Sequence, residues 1–503
     1  MPTQQPPPQL GRERTLRPAT VEVAPRCIAN PTSWVYRLAL LGAVLMFLLP
    51  SSMLTAFGVY SDQPGGNPLT KFHPATLAFI AAAWFALYGR QGAGLIALFR
   101  DRPLLAWSIV LTVASVVYSV CIWGISGVAV YVETYLSAAL AALALETGTD
   151  EQLRRLAYLI LALCLIAVGI SLVEGRLEQQ FLPQAPLDLS AAQLKAQKEF
   201  GAQASEFRGP AFYAHPLTGA LVTSMALFLI IGIRLRWWFA AFAFSWLVVG
   251  LMSFGGRAAL GTTMLMIASA ALFQFASSLV KREINLGFLA AFVGGSILIP
   301  VLIAVLVTET NVGGRITEHL YADDSSYVRV IQWRVLSVVD WHDVLFGVSA
   351  DRLDLLKTQI GLSTTRSQDI ENPWLLTFLG LGLLGWPLLL GSLFTLMLHL
   401  GRRANTGASW MLVTVVLLIC STSNSLGRKT PDLVFLSIFA IALSSFKARK
   451  EQAVPEPARS YVSEYSGSIP GGNATSSSCR SGVSGACART PISSAPTCPN
   501  AWT

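Results

Sequence analysis

The sequence predicts an all-α integral membrane protein with about twelve transmembrane helices, and three observations carry this prediction. Hydrophobic residues make up 53% of the 503 residues and charged residues only 13%, whereas a typical soluble domain has about 25% charged residues. Apolar runs of about 20 residues, the length that crosses a bilayer as a helix, recur along the chain. Every second loop between these runs is basic, so that the basic loops all fall on one side of the membrane, as the positive-inside rule requires of a multi-pass protein.

Both termini lie outside the predicted membrane domain. Residues 1–33 are rich in Pro and Arg and lack a short apolar core ending at a small-residue cleavage site, so we expect a disordered cytoplasmic arm. Residues 447–503 are rich in Ser, Gly, Pro and Ala, a composition that cannot bury a core, and we expect a disordered cytoplasmic tail. The polytopic membrane domain is therefore predicted to span residues 34–446.

Within that domain each apolar run is interpreted as one membrane span. Basic residues precede the first run and follow the second, fourth and later even-numbered runs, which places both termini in the cytoplasm. The predicted spans are 34–60, 74–90, 103–124, 126–147, 153–174, 214–233, 237–254, 258–280, 286–308, 373–397, 408–426 and 431–446.

Two extended loops, 175–212 and 309–372, fall on the opposite, extracytoplasmic face. The second loop, here called the cap, is too polar to enter a bilayer but contains periodic apolar residues. Tyr327, Ile331 and Val335 are spaced by four, which predicts an amphipathic surface helix over residues 326–339. The cap is thus expected to be large, partly helical and placed over a site at the membrane surface.

Several chemistries are excluded by missing motifs. No Gly-rich loop ends in Gly-Lys-Ser/Thr, so the chain has no signature of direct nucleotide hydrolysis. No His/Cys/Glu spacing indicates zinc, no nucleophile elbow indicates a serine hydrolase, and the seven Cys do not form a secreted disulfide framework. The net charge of +8 comes without a basic stripe interleaved with aromatics, so nucleic acid is not an expected partner.

Arginines on the predicted outer face are the main candidate binding residues, because the positive-inside rule does not put them there. Guanidinium offers a fixed fork of donors that binds phosphate oxygens in a bidentate way. The alternative for each is an interfacial or capping role, which fits Arg428 and Lys429 best. Arg208 and Arg257 flank Gly-containing turns that let a ligand approach the backbone. The candidate diphosphate-binding set is Arg208, Arg257, Arg315, Arg329 and Arg334.

Two residues are candidates for proton transfer. Glu371 ends the cap just before the tenth predicted span, where it is placed to accept a proton from a sugar hydroxyl. It could equally belong to a helix cap, because Asn372 and Pro373 follow it. His215 lies at the entry of the sixth span, and the sequence does not decide between a packing role and a chemical role for it.

The sequence resembles the bacterial O-antigen polymerase and O-antigen ligase superfamily, most closely its exopolysaccharide polymerases. The matching motifs are RGPAFYAHPLTGAL before a span, FGGRAAL at an outer turn, LFGVSADRL in the cap and ENPWLLTFLGLGLLGWPLLL after it. The resemblance covers roughly residues 131–400. It implies a glycosyltransferase of the GT-C type in the bacterial inner membrane, with a donor glycan on undecaprenyl diphosphate. The sequence itself requires no cofactor or metal, and Asp323-Asp324 is the alternative as a metal-binding pair. By the same resemblance, Arg208 and Arg257 would hold the donor diphosphate.

The resemblance leaves the acceptor open. A polymerase transfers to another lipid-linked repeat unit, and a ligase transfers finished glycan to a different acceptor. Ligases tend to carry a His motif where this chain reads Ile-Glu-Asn-Pro, so a polymerase is favoured and the base would be Glu371 or His215. Chain-length regulators and export proteins are further expected partners. A transporter of lipid-linked glycan or of another solute is the alternative outside enzymes, with Glu133 as its buried ionisable residue.

Overall fold

A computed structural model describes residues 33–60, 68–88, 94–125, 128–183, 208–233, 235–280, 331–362, 370–403, 407–422 and 426–446. Every regular element in these ranges is helical. This confirms the all-α prediction for the described part of the chain. The predicted arm, the predicted tail and the predicted span 286–308 lie outside the described residues, apart from the first residue of α1.

The helices follow the predicted apolar runs closely. In chain order they are α1 (Ser33–Leu48), α2 (Ser51–Ala56), α3 (Pro74–Tyr88), α4 (Gly94–Asp101), α5 (Pro103–Trp123), α6 (Val128–Leu145), α7 (Asp150–Leu177), α8 (Pro216–Gly232), α9 (Trp237–Ser253), α10 (Arg257–Val280), α11 (Trp341–Phe346), α12 (Ala350–Gln359), α13 (Pro373–Arg403), α14 (Gly407–Thr422) and α15 (Asp432–Ser444). Short 3-10 turns occupy Pro68–Lys71 and Trp333–Ser337.

Five of the described helices are long and apolar enough to cross a membrane: α5, α6, α7, α10 and α13. Six shorter apolar helices, α1, α3, α8, α9, α14 and α15, occupy the other predicted spans that fall within the described residues. The chain therefore has the helices of a membrane protein, and the count of twelve spans stays a prediction. One span was predicted too long, because α1 ends before Pro50, which lacks the N–H that would continue it.

The described helices pack around one extensive apolar core. α15 is buried along its whole length, and so are Ser137–Leu145, the second half of α6. Small residues in that segment, SAALAALAL, let neighbouring backbones approach closely, which is how helices associate where lipid removes the hydrophobic driving force. Hydroxyls add to the packing between α5 and α13, where Thr112 Oγ1 lies 2.5 Å from Ser392 Oγ.

The cap has a small apolar core of its own. Ile331, Val335, Val348, Leu356, Leu362 and Ile370 are buried together with Leu375 and Leu379, which come from the start of α13. The predicted helix over 326–339 is only partly correct. Residues 331 and 332 are helical, but Trp333–Ser337 form a 3-10 turn, and residues 326–330 lie outside the described part.

A break in α13 explains how the cap core includes that helix. Gly382 has φ +64°, and Pro387 cannot donate to the carbonyl one turn before it. Gly347, at the end of α11, lies against this break: a Cβ on Gly382 would stand 2.3 Å from the Gly347 nitrogen. Val348 N–H donates to the Leu379 carbonyl at 2.7 Å. The predicted continuous span 373–397 is therefore interrupted where the cap docks.

A buried charged cluster ties together helix ends predicted to be cytoplasmic. The carboxylate of Glu146, just after α6, lies 2.5 Å from Arg102 Nη1, 2.7 Å from His399 Nε2 and 3.2 Å from Arg403 Nε. Burial opposes ionisation of Glu146, but the hydrogen bond from His399 and the charges of Arg102 and Arg403 outweigh it and lower its pKa to about 2. Residues predicted on one side of the membrane thus contact one another.

Candidate functional site

A pocket opens at the other end of the helices, among residues predicted on the outer face. It holds about 510 Å³ of empty space, part of it open to solvent. Its lining comes from six separate stretches of the chain. They include Pro50 and Ser51, Tyr60, His73 and Thr76 at the start of α3, Glu133 in α6, Phe212, Tyr213, Ala214 and Thr218 around the start of α8, and Lys429, Thr430 and Pro431 before α15. We call it the outer pocket.

Glu133 is the buried carboxylate of the outer pocket. It is 6% exposed and lies in Tyr131–Leu136, where α6 is wound as a π-helix. Its Oε2 accepts a hydrogen bond from the Tyr60 hydroxyl at 2.8 Å, and its Oε1 accepts one from the backbone N–H of His73. π-helical turns of this kind occur frequently at functional sites.

His73 holds its ring in a single arrangement. Its Nδ1 accepts from the backbone N–H of Ala75 at 3.1 Å, so Nε2 carries the proton and donates to the Leu49 carbonyl at 2.7 Å. Burial lowers the pKa of His73, and the hydrogen bond to Leu49 opposes that effect only in part. His73 therefore acts as a neutral helix cap for α3 and binds the end of α1 to it.

His215 repeats this capping geometry at the start of α8. Its Nδ1 accepts from the Leu217 N–H at 3.1 Å, so this nitrogen carries no proton. The neutral ring therefore has its proton on Nε2, which makes it a hydrogen-bond donor. This geometry favours donation to a bound group over the proton acceptance predicted for His215.

The cationic loop before α15 is fixed by α6. Thr134 Oγ1 donates to the Arg428 carbonyl at 2.8 Å, and the Tyr135 hydroxyl donates to the Leu426 carbonyl at 2.8 Å. Lys429 lines the outer pocket, with its Nζ 5.2 Å from the centroid of the Tyr60 ring and 3.3 Å from the Lys71 carbonyl. Besides the interfacial role favoured from the sequence, Lys429 therefore contacts residues of the outer pocket.

Arg208 and Arg257 come to the same turn. Gly255, in the turn between α9 and α10, has φ +66°, and a Cβ there would lie 2.9 Å from Arg208 Cδ and 3.1 Å from its Nε. Arg257 follows Gly255 by two residues and begins α10. The side chain of Arg208 therefore rests on the turn that carries Arg257.

The segment after Arg208 is anchored to the end of α7. Glu174 is fully buried there, and its two carboxylate oxygens accept from the N–H groups of Phe181 and Ala211 at 2.9 and 2.8 Å. Ser171 donates to the Gly209 carbonyl at 2.8 Å. These bonds hold the short segment that starts at Arg208, although it has no regular secondary structure.

An aromatic layer connects the arginine turn with the outer pocket. The ring of Tyr213 lines the pocket and packs edge-on against Phe254, with centroids 5.8 Å apart. Phe254 precedes Gly255, on which Arg208 rests. The same Tyr213 ring also contacts Phe435 at 6.2 Å. The turn that contacts Arg208 is therefore connected to the outer pocket through one pair of packed rings.

The predicted cap residues are separate from this pocket. Glu371 is half-buried at the start of α13 and does not line the outer pocket. Asn372 caps α13 as predicted, accepting from the N–H groups of Trp374 and Leu375 at 3.0 and 3.1 Å. Arg334 is exposed on the 3-10 turn. Arg315 and Arg329 lie outside the described residues.

Within the described ranges, no group of three or more His, Cys, Asp or Glu side chains is arranged to hold a metal ion. The protein matches no protein-family model and no curated protein.

Sequence reasoning missed most of the outer pocket, although one signal was available. The chain contains His-Pro-x-Thr twice, at residues 73–76 and 215–218. In both copies the His caps a helix and the Thr lines the pocket. Glu133 was interpreted only as a buried ionisable residue for a transporter, because a single sequence does not show which loops face a given helix turn.

Proposed function

We propose that the protein is a membrane glycosyltransferase that polymerises oligosaccharide repeat units carried on undecaprenyl diphosphate. It acts at the periplasmic face of a bacterial inner membrane, with a GT-C-like arrangement of about twelve spans and both termini in the cytoplasm. The observation that carries the proposal is the position of Arg208 on the Gly255 turn, beside Arg257. This supports the role that the resemblance to O-antigen polymerases implies for the two arginines.

Arg208, packed against the turn that carries Arg257, and Arg257 itself suit a diphosphate leaving group. Each guanidinium can bind phosphate oxygens through a pair of parallel hydrogen bonds. Donors that are positioned before the reaction stabilise the developing charge without reorganising, which is commonly the largest single catalytic contribution. The anchoring of the Arg208 segment by Glu174 provides that preorganisation.

The reaction that follows is a displacement at the anomeric carbon of the donor glycan. A hydroxyl of the acceptor repeat unit loses its proton, and its oxygen forms the new glycosidic bond. The bond from the anomeric carbon to the diphosphate oxygen breaks, and the lipid diphosphate leaves with the electron pair. Arg208 and Arg257 neutralise the charge that this oxygen gains.

The position of Glu133 favours a transferase over a transporter. An ionisable residue that carries a solute across a membrane is expected deep among the helices. Glu133 instead lies within the first two turns of α6 and opens into the outer pocket. Its surroundings match a site at the membrane surface, where a lipid-linked substrate presents its headgroup.

The test is to substitute each arginine in cells and analyse their lipid-linked glycans. We expect Arg208→Ala and Arg257→Ala each to reduce polymer by about 10²-fold or more, with single repeat units accumulating on the lipid. Arg155→Ala is the matched control, because Arg155 is exposed at the far end of α7, where it pairs with Glu151 at 3.1 Å.

Each outcome of this test has a distinct meaning. Full-length polymer in both variants, with the proteins inserted at the normal level, would contradict the proposal. Long chains that remain attached to the lipid carrier would instead indicate a ligase that transfers finished glycan to another acceptor.

A further inference from the structure

We infer that the outer pocket binds the acceptor sugar and that Glu133 accepts the proton from its attacking hydroxyl. This inference rests on the proposed glycosyltransferase function. It adds a catalytic residue and an acceptor subsite, and it places proton transfer on α6 and away from the cap.

A carboxylate at the position of Glu133 has a cost in free energy. Ionisable side chains within membrane helices are expensive, and those that remain face a cavity or a partner. Glu133 does both, because it lines an open pocket and accepts from Tyr60 and from the His73 backbone.

The lining of the outer pocket combines polar and aromatic residues. Besides Glu133, the lining contains Thr76, Thr218 and Thr430, and the aromatic residues Phe212 and Tyr213 form another part of it. A few fixed polar groups set into an apolar wall are typical of small-molecule sites. Hydroxyl groups together with aromatic faces match a sugar, which presents both O–H groups and apolar C–H surfaces.

The other candidate bases are engaged in hydrogen bonds or lie outside the pocket. His73 uses both ring nitrogens, one for Ala75 and one for Leu49. His215 uses Nδ1 for Leu217, which leaves a protonated Nε2. Glu371 lies outside the lining of the pocket. Among the described residues that line the outer pocket, Glu133 is the one with an acidic side chain.

The proton and the electron pair of the chemical step can then be followed from the pocket to the two arginines. The acceptor hydroxyl transfers its proton to a Glu133 oxygen as its own oxygen bonds to the anomeric carbon of the donor. The bond to the diphosphate breaks, and the leaving group keeps the electron pair beside Arg208 and Arg257. The protonated Glu133 returns its proton to water at the open side of the pocket before the next cycle.

The test uses the full-length protein purified into lipid nanodiscs. The substrate is the lipid-linked single repeat isolated from cells that lack the protein, and chain growth is followed across pH. Glu133→Gln keeps the shape of the side chain but cannot accept a proton. We expect its kcat to fall by about 10²- to 10⁴-fold, its KM to stay within about threefold, and its residual rate to lose the decline at acidic pH that the wild type shows.

The outcomes separate the inference from the function on which it rests. If wild type and Glu133→Gln both polymerise within threefold of each other, the inference is wrong and the function stands. If the wild type makes no polymer, the proposed function itself fails.

A second variant keeps the inference testable if Glu133→Gln does not insert. Tyr60→Phe removes one donor to the same carboxylate and leaves the acid in place. Because the charged form loses a hydrogen bond, the acidic limb of the pH profile should move to higher pH. An unshifted limb would overturn the inference.

Discussion

Gly255 offers a way to move Arg208 without removing it. In Gly255→Ala the new Cβ would lie 2.9 Å from Arg208 Cδ, whereas carbon atoms in contact prefer about 3.5–4.0 Å. The arginine side chain must therefore shift by roughly 0.6–1 Å, since it is more flexible than the turn. A misplacement of about 1 Å in a catalytic group can cost about 10²-fold in rate, so we expect polymerisation to slow by about 10- to 100-fold.

Backbone strain must be separated from this displacement. Gly255 has φ +66°, and an alanine in the left-handed region costs roughly 1–2 kcal/mol. Gly361→Ala is the matched control, because Gly361 has φ +74° and a Cβ added there would meet no heavy atom within 4 Å. Both variants should lose similar thermal stability in detergent, while Gly361→Ala should polymerise within about twofold of the wild type.

A double variant makes the reasoning refutable. If Gly255→Ala acts only through Arg208, adding it to Arg208→Ala should cause little further loss of rate, because the two changes remove one interaction. Equal polymerisation by Gly255→Ala and Gly361→Ala would refute the idea that Gly255→Ala acts by displacing Arg208. Fully multiplicative losses in the double variant would refute the link to Arg208.

Two further predictions concern stability. Because the pKa of Glu146 is lowered to about 2, its contribution is present above about pH 4.5 and is lost as the pH falls toward 2, which amounts to roughly 3 kcal/mol. Thermal unfolding in detergent between pH 6 and pH 2.5 should show this loss in the wild type and in the exposed control Glu151→Gln; a similar loss in Glu146→Gln would contradict it. Gly382→Ala places a Cβ 2.3 Å from the Gly347 backbone, which a side-chain movement cannot relieve, so limited proteolysis should cleave the cap faster than in Gly124→Ala. Equal cleavage rates would count against the docking of the cap on the broken helix.

Helix positions could be predicted because spanning length and apolar composition are local properties of the chain. α5 and α8 begin close to the residues predicted, and each has Pro at its first position. The break at Gly382 could not be found in this way, because an average over a long apolar run hides one residue whose φ depends on the docked cap. α4 was missed for a related reason, since its eight residues are too few to register as a span.

The site could be predicted only in part. Arg208 and Arg257 stood out because basic residues are unexpected on the outer face, and Gly-containing turns marked a close approach. Glu133 and Lys429 could not be assigned to one pocket, because α6 and the loop before α15 are distant in sequence and meet only through tertiary contacts such as Thr134 with Arg428. The candidate base Glu371 was inferred from its place at the end of the cap, and that place is separate from the outer pocket.

The most direct measurement of the central claim is reconstitution with the natural substrate. Lipid-linked glycan is isolated from cells that lack the protein and is then supplied to the purified wild type in nanodiscs. If the protein is a polymerase, we expect this glycan to be a single repeat unit and a ladder of longer glycans to form. One lipid diphosphate should be released for each bond made. A substrate that already carries long chains, or a wild type that forms no ladder and releases no lipid diphosphate, would contradict the account.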